Sequence, residues 1–191
     1  SVNCIILVLH SSLSMAYVLG LSKEIHVDKI KRPKTSEKPV ESFTKEEQKM
    51  IEQAVLSDKR DKMFGIILCL YTGLRIGELL ALEWSDIDFD NDTVTISKAV
   101  SVVAGQQITK EPKTKTSRRT VAIPHFLTQR IKQLKHDRLK YRLSLGDYWQ
   151  GADWLFIQEN GKQMSYSTPY SAFQDTIARY NAGKEADKQL P

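Results

Sequence analysis

Tyr71-Thr72-Gly73-Leu74-Arg75-Ile76-Gly77-Glu78-Leu79-Leu80-Ala81-Leu82-Glu83-Trp84-Ser85-Asp86-Ile87-Asp88 is the stretch on which the fold of this chain turns. It sets one arginine at a glycine-made break between two apolar runs, with Glu78 one turn further on the same helical face. A guanidinium placed there costs free energy unless something anionic meets it. Spacing alone leaves two readings open. Arg75 and Glu78 form a structural pair that closes a helix junction, or Glu78 holds a guanidinium whose planar fork is aimed at a phosphate.

Upstream, Thr44-Lys45-Glu46-Glu47 has the form of a capping box, so a helix is predicted over 45–56, followed by helices over 61–71 and 76–82. Residues 29–39 are basic, contain proline and are almost free of apolar side chains, the composition of a linker, and a domain begins at about Ser42. Before the linker, Ile5, Ile6, Leu9, Leu13, Ala16, Val18 and Leu19 are spaced for a helix with one broad apolar face, ended by Gly20. Residues 2–22 carry no Asp, Glu, Lys or Arg, but His10, Ser11, Ser12 and Ser14 interrupt them. The continuous apolar run is far short of the roughly 20 residues that a membrane span needs.

After Trp84 the periodicity changes to two. Residues 93–96 and 120–123 read as strands, with a middle strand around Ile108. A long amphipathic helix over 126–143 follows, with Ile131, Leu134 and Leu139 facing inward and Lys132, Lys135, Arg138 and Lys140 outward. Trp154-Leu155-Phe156, a turn at Asn160-Gly161 and a helix over 170–180 complete the chain. The pattern is α+β, mainly helical, with a small three-stranded antiparallel sheet.

A hydrophobic fraction of 41% and a charged fraction of 27% are those of a globular chain and exclude wholesale disorder. The net charge of +5 is clustered at 29–34 and 110–119, which favours a polyanionic partner. Cys4 and Cys69 read as reduced, buried thiols of a cytosolic protein, with no disulfide framework and no zinc spacing.

The second informative stretch is Thr109-Lys110-Glu111-Pro112-Lys113-Thr114-Lys115-Thr116-Ser117-Arg118-Arg119-Thr120-Val121-Ala122-Ile123-Pro124. A strand, a basic turn and a returning strand gather several cations at one tip, which either only solvates the protein or binds an anion. Together the two stretches resemble the motifs of tyrosine recombinases, the phage integrase family. There Thr-Gly-Leu-Arg-x-Gly-Glu and Trp-x-Asp-Ile surround the first catalytic arginine, and a hairpin of the form Pro-Lys-Thr-Lys-Ser-Ser-Arg-Arg-Thr carries a general-acid lysine.

The resemblance implies a tyrosine-recombinase catalytic-domain fold over 42–191, a basic linker over 29–41 and, over 1–28, the last helix of a core-binding domain. Arg75 becomes a catalytic phosphate-holding residue supported by Glu78. Lys115 becomes the general acid, with Lys113 as its rival, and Lys31, Arg32, Lys34, Lys110, Lys113, Arg118 and Arg119 become DNA-binding or structural cations. It further implies site-specific DNA breaking and rejoining through a 3′-phosphotyrosyl link, without metal or other cofactor, in a bacterial cytoplasm on the nucleoid and away from membranes. The partner is double-stranded DNA, bound by a tetramer in the intact enzyme and by a monomer here.

Family members carry His-x-x-Arg and then a nucleophilic tyrosine after a position like Pro191. No histidine of this chain has arginine three residues later. Tyr166, Tyr170 and Tyr180 read as packing residues. A chain truncated in this way is expected to bind DNA without cutting it, as an enzyme fragment or a non-catalytic remnant of an integrase. A helical interaction protein with merely solvating cations is the reading from another class.

Overall fold

The computed structural model describes residues 2–23, 42–57, 60–111, 118–185 and 189–190, and the chain divides into two units, Ser1–Ser42 and Phe43–Pro191. In the first unit helix α1, Val2–Val18, is the only described element, and none of its side chains is buried. Cys4 is exposed there, against the expectation of a buried thiol, because no second described element of that unit covers it. No helix among the described residues is long and apolar enough to cross a membrane.

The second unit opens on its capping box. Thr44 Oγ1 accepts from the Glu47 amide at 3.2 Å while Glu47 Oε2 accepts from the Thr44 amide at 2.6 Å. Helix α2, Lys45–Ser57, and helix α3, Asp61–Thr72, then pack through Ile51, Val55, Met63, Ile67 and Leu68, all almost fully buried. Gly73 ends α3 at φ 64°, its amide on the Cys69 carbonyl at 2.9 Å. That left-handed turn suits glycine and swings the chain into α4, Ile76–Leu80. The helix stops short of the expected residue 82 because the Ala81 and Leu82 amides tighten onto the Glu78 and Leu79 carbonyls and the Glu83 amide turns to the Asp86 carboxylate; the Leu155 amide on the Leu82 carbonyl at 2.8 Å binds the Trp154-Leu155-Phe156 run to the end of α4.

The expected small three-stranded antiparallel sheet is present, and a two-stranded sheet accompanies it. In the first, β1 (Ile87–Asp88), β2 (Thr93–Ile96) and β5 (Arg119–Ala122) are antiparallel in the order β1-β2-β5, with Val94 opposite Val121 and Ile96 opposite Arg119. In the second, β3 (Ala99–Val103) and β4 (Gln106–Lys110) form a hairpin of their own. The expected strand around Ile108 is present as β4, but it pairs with β3, Ile108 opposite Ser101, and does not join the three-stranded sheet. The cause is the turn: Ala104 and Gly105 both have positive φ, 50° and 79°, a conformation that folds a strand straight back on its neighbour.

Helix α5, His125–Leu145, buries Ile131 and Leu134 as expected and Leu127 besides, but the expected facing fails at two positions. Leu139 is 56% exposed and Arg138 only 7% exposed, because the buried row runs 127, 131, 134, 138 in steps of three and four, and residue 139 falls off it. Helix α6, Thr168–Asn181, packs against α3 and α2 and adds Ala172 to the buried core.

Gly77 fixes how α4 sits on β3: a Cβ built there would lie 2.4 Å from the Val100 carbonyl oxygen. Backbone on backbone cannot yield as a flexible side chain would. Gly77→Ala is therefore expected to destabilise the protein by about 1–3 kcal/mol through overpacking, read as a lower urea midpoint at unchanged m-value.

Candidate active site

Glu78 is the centre of the candidate site. It sits on the inner face of α4 with 8% of its surface exposed, and both carboxylate oxygens are occupied by arginines, one three residues and the other 41 residues away in sequence. Arg119, the first residue of β5, forks onto it with Nη1 on Oε1 at 3.0 Å and Nη2 on Oε2 at 2.8 Å. From the other side Arg75 places Nη1 on Oε1 at 3.1 Å and its own backbone amide on Oε2 at 3.0 Å. One carboxylate thereby fixes the start of α4, the side chain of Arg75 and the end of β5.

The two arginines are spent differently. Arg119 directs both terminal nitrogens inward, and its side chain is 33% exposed; Arg75 gives one nitrogen to Glu78, and its side chain is 80% exposed. The outer edge of the Arg75 fork faces solvent while its inner edge is fastened. A guanidinium held this way meets an incoming oxyanion with little orientation left to lose.

The electrostatics agree with the geometry. The Arg119 fork, and then the Arg75 amide and side chain, lower the Glu78 carboxyl to about 2 against the raising effect of burial, and Glu78 in turn raises Arg119. Burial, followed by the field of Glu78, pushes the nearby Cys69 thiol up to about 12, so it stays protonated and is no nucleophile. Among the described residues, no three His, Cys, Asp or Glu side chains gather as a metal site.

Arg75, Glu78 and Arg119 are thus together. Lys110 is exposed at the end of β4 opposite Ala99, and Arg118 is exposed beside Arg119. Lys113, Lys115, Lys31, Arg32 and Lys34 lie outside the described residues. Tyr180 packs on the core, but Tyr170 is 63% exposed and, with Tyr166, lines an open apolar cavity of about 650 Å³ instead of filling it. Two contacts were missed in the sequence. Lys98 pairs with Glu83 at 2.9 Å, and nothing in a fifteen-residue separation signals it. Arg119 as the second clamp on Glu78 was legible: Arg119, Val121 and Ile123 alternate with exposed residues, so the arginine heads the inward row of a strand and needs a buried acid.

Residues 34–189 match the phage integrase family. The chain belongs to that family. Among the relatives of this integrase-family chain, a XerC-like tyrosine recombinase of Caldanaerobacter subterraneus subsp. tengcongensis is 29% identical over 155 residues, covering 75% of this chain and 39% of the relative. The ICEBs1 integrase of Bacillus subtilis is 28% identical over 173 residues, covering 88% and 43%. The chain therefore spans about two fifths of the length of these curated relatives. In fold it is similar to an integrase of the Tn1549 transposon solved in complex with a circular intermediate DNA, at a TM-score of 0.76 and 20% identity over 99% of this chain and 60% of that one.

The lowered carboxyl of Glu78 ties stability to pH. Its folded value of about 2 lies below the ordinary 4.5, so between those values the unfolded chain binds the extra proton. The contribution is complete above about pH 5 and is lost as pH falls toward 2. Glu78→Gln is expected to lower stability by about 1–3 kcal/mol at neutral pH and to flatten the acid limb of a urea-midpoint-against-pH curve. An unchanged acid limb would show that the clamp does not form in solution.

Proposed function

We propose that this chain carries the phosphate-gripping half of a site-specific DNA recombination or integration enzyme, a tyrosine recombinase of a phage or integrative mobile element. The observation that carries the reading is the half-fastened Arg75: one edge of its guanidinium is locked to a buried carboxylate and the other is open to solvent. A structural arginine is used up by its partner, as Arg119 is. The family and the DNA-bound neighbour support the choice of anion.

In the proposed reaction a tyrosine hydroxyl attacks a DNA phosphorus and a 5′-hydroxyl departs. Charge grows on the non-bridging oxygens, where the outer edge of Arg75 forms paired hydrogen bonds; losing such a contact costs on the order of a hundredfold in rate. Glu78 and Arg119 act through Arg75 by holding it in place. Lys115, or Lys113, carries a proton at neutral pH and passes it to the departing oxygen. Lys31, Arg32, Lys34, Lys110 and Arg118 neutralise flanking phosphates, and residues 1–28 form the end of a core-binding domain. We propose a monomer for this chain alone and a tetramer on DNA for the whole enzyme.

Duplex binding is expected to weaken as salt rises, with log affinity falling by about 0.9 per log unit of salt for each phosphate neutralised. Arg75→Ala is expected to reduce that slope by about one phosphate with an unchanged urea midpoint. Affinity that ignores salt, or a variant that unfolds, contradicts the proposal. With no His-x-x-Arg in its 191 residues, the chain as it stands is expected to bind a nicked suicide substrate without forming a covalent adduct; an adduct resolved by denaturing gel overturns that assignment.

A further inference from the structure

All three tryptophans of the chain line one recess of about 200 Å³ beside the second half of α5. Trp84, Trp149 and Trp154 form its walls together with Lys135 and Arg142, and its ionised side chains are Lys135, Arg138 and Arg142 against the single acid Asp153. The cations are arranged on rings. Lys135 Nζ lies 5.9 Å from the Trp84 centroid and 5.3 Å from that of Phe89, Lys132 Nζ 5.7 Å from Phe89, and the Arg142 guanidinium carbon 5.8 Å from Trp149. Such stacking is worth about 0.5–1 kcal/mol at exposed sites and holds long side chains that otherwise lose rotamer freedom on binding.

Large apolar side chains face solvent here: Leu139, which lines the recess, is 56% exposed, and Leu143 and Tyr148, chain neighbours of the lining residues Arg142 and Trp149, are 83% and 79% exposed. None of these residues belongs to the Arg75 site. An aromatic recess of tryptophans with tyrosine and arginine close by is the composition of a protein-docking hot spot. The cations specify the sign of the partner.

We propose that this face of α5 docks an acidic protein segment with an apolar anchor. The anchor enters the recess among the tryptophans, and flanking carboxylates meet Lys132, Lys135 and Arg142. Nucleic acid fits the same charges less well. Lys135 and Arg142 already stack on Trp84 and Trp149, with Tyr141 edge-on to Trp149 at 6.5 Å, which leaves less ring surface for bases to stack on. A phosphate backbone also gains nothing from covering Leu143 and Tyr148.

Since every tryptophan lines the recess, intrinsic fluorescence of the purified chain reports its occupancy. The probe is an acetylated Asp-Glu-Leu-Phe-Asp-Glu amide, compared with the same peptide carrying lysines for its acids, a duplex and a single-stranded oligonucleotide. The acidic peptide is expected to shift the emission saturably. Arg142→Glu and Leu143→Asp, at exposed positions, are each expected to weaken it by about tenfold or more while duplex affinity stays unchanged. Lys132→Glu serves as a third variant if either fails a circular-dichroism check of folding. No saturable shift, or an equal response to the lysine peptide, overturns the proposal. So does an oligonucleotide that produces the shift and loses affinity with Arg142→Glu, which would make the face a nucleic-acid surface.

Discussion

The Glu78 carboxylate, shared between two guanidiniums, is the contact on which the second unit depends. It joins a short helix to a strand some forty residues away. A carboxylate this enclosed is tolerated only when its oxygens are satisfied. Here four hydrogen bonds satisfy them, three from side-chain nitrogens and one from a backbone amide. The division of labour follows: Arg119 neutralises the buried charge, and Arg75 is left with donors to spare.

Everything around the clamp limits its movement. The left-handed turn at Gly73 sets the direction of α4, and the contact of Gly77 with the Val100 carbonyl sets its depth on β3. Gln163 donates to the Leu80 carbonyl at 3.1 Å and so ties the end of α4 to the segment after the Asn160-Gly161 turn. The first two contacts are made by backbone and the third spans 83 residues of sequence through one glutamine side chain, so the helix that follows Arg75 is placed largely by backbone geometry.

Much of this was legible in the sequence where one physical rule dominated. The capping box at Thr44, the glycine stop at 73 and the Arg75–Glu78 pair depend on neighbours three or four residues apart, and all appear in the structure. The failures arise where distant parts compete. Ile108 reads as a strand, but nothing local says that the Ala104-Gly105 turn folds it onto β3 and away from β2. Arg138 reads as a surface cation by residue type, yet it lies on the buried row of α5. The second clamp on Glu78 needed the strand's alternation to be applied to an arginine as strictly as to a valine.

The separateness of the β3–β4 hairpin has a consequence for how such chains diverge. Its strands pair only with each other, while β2 and β5 pair directly, so the register that delivers Arg119 to Glu78 does not pass through it. Residues inserted at the Ala104-Gly105 tip extend an arm by about 3.3 Å for each residue added to a strand and leave the clamp undisturbed. The reach of this projection and the chemistry beneath it are therefore set by separate stretches of the chain.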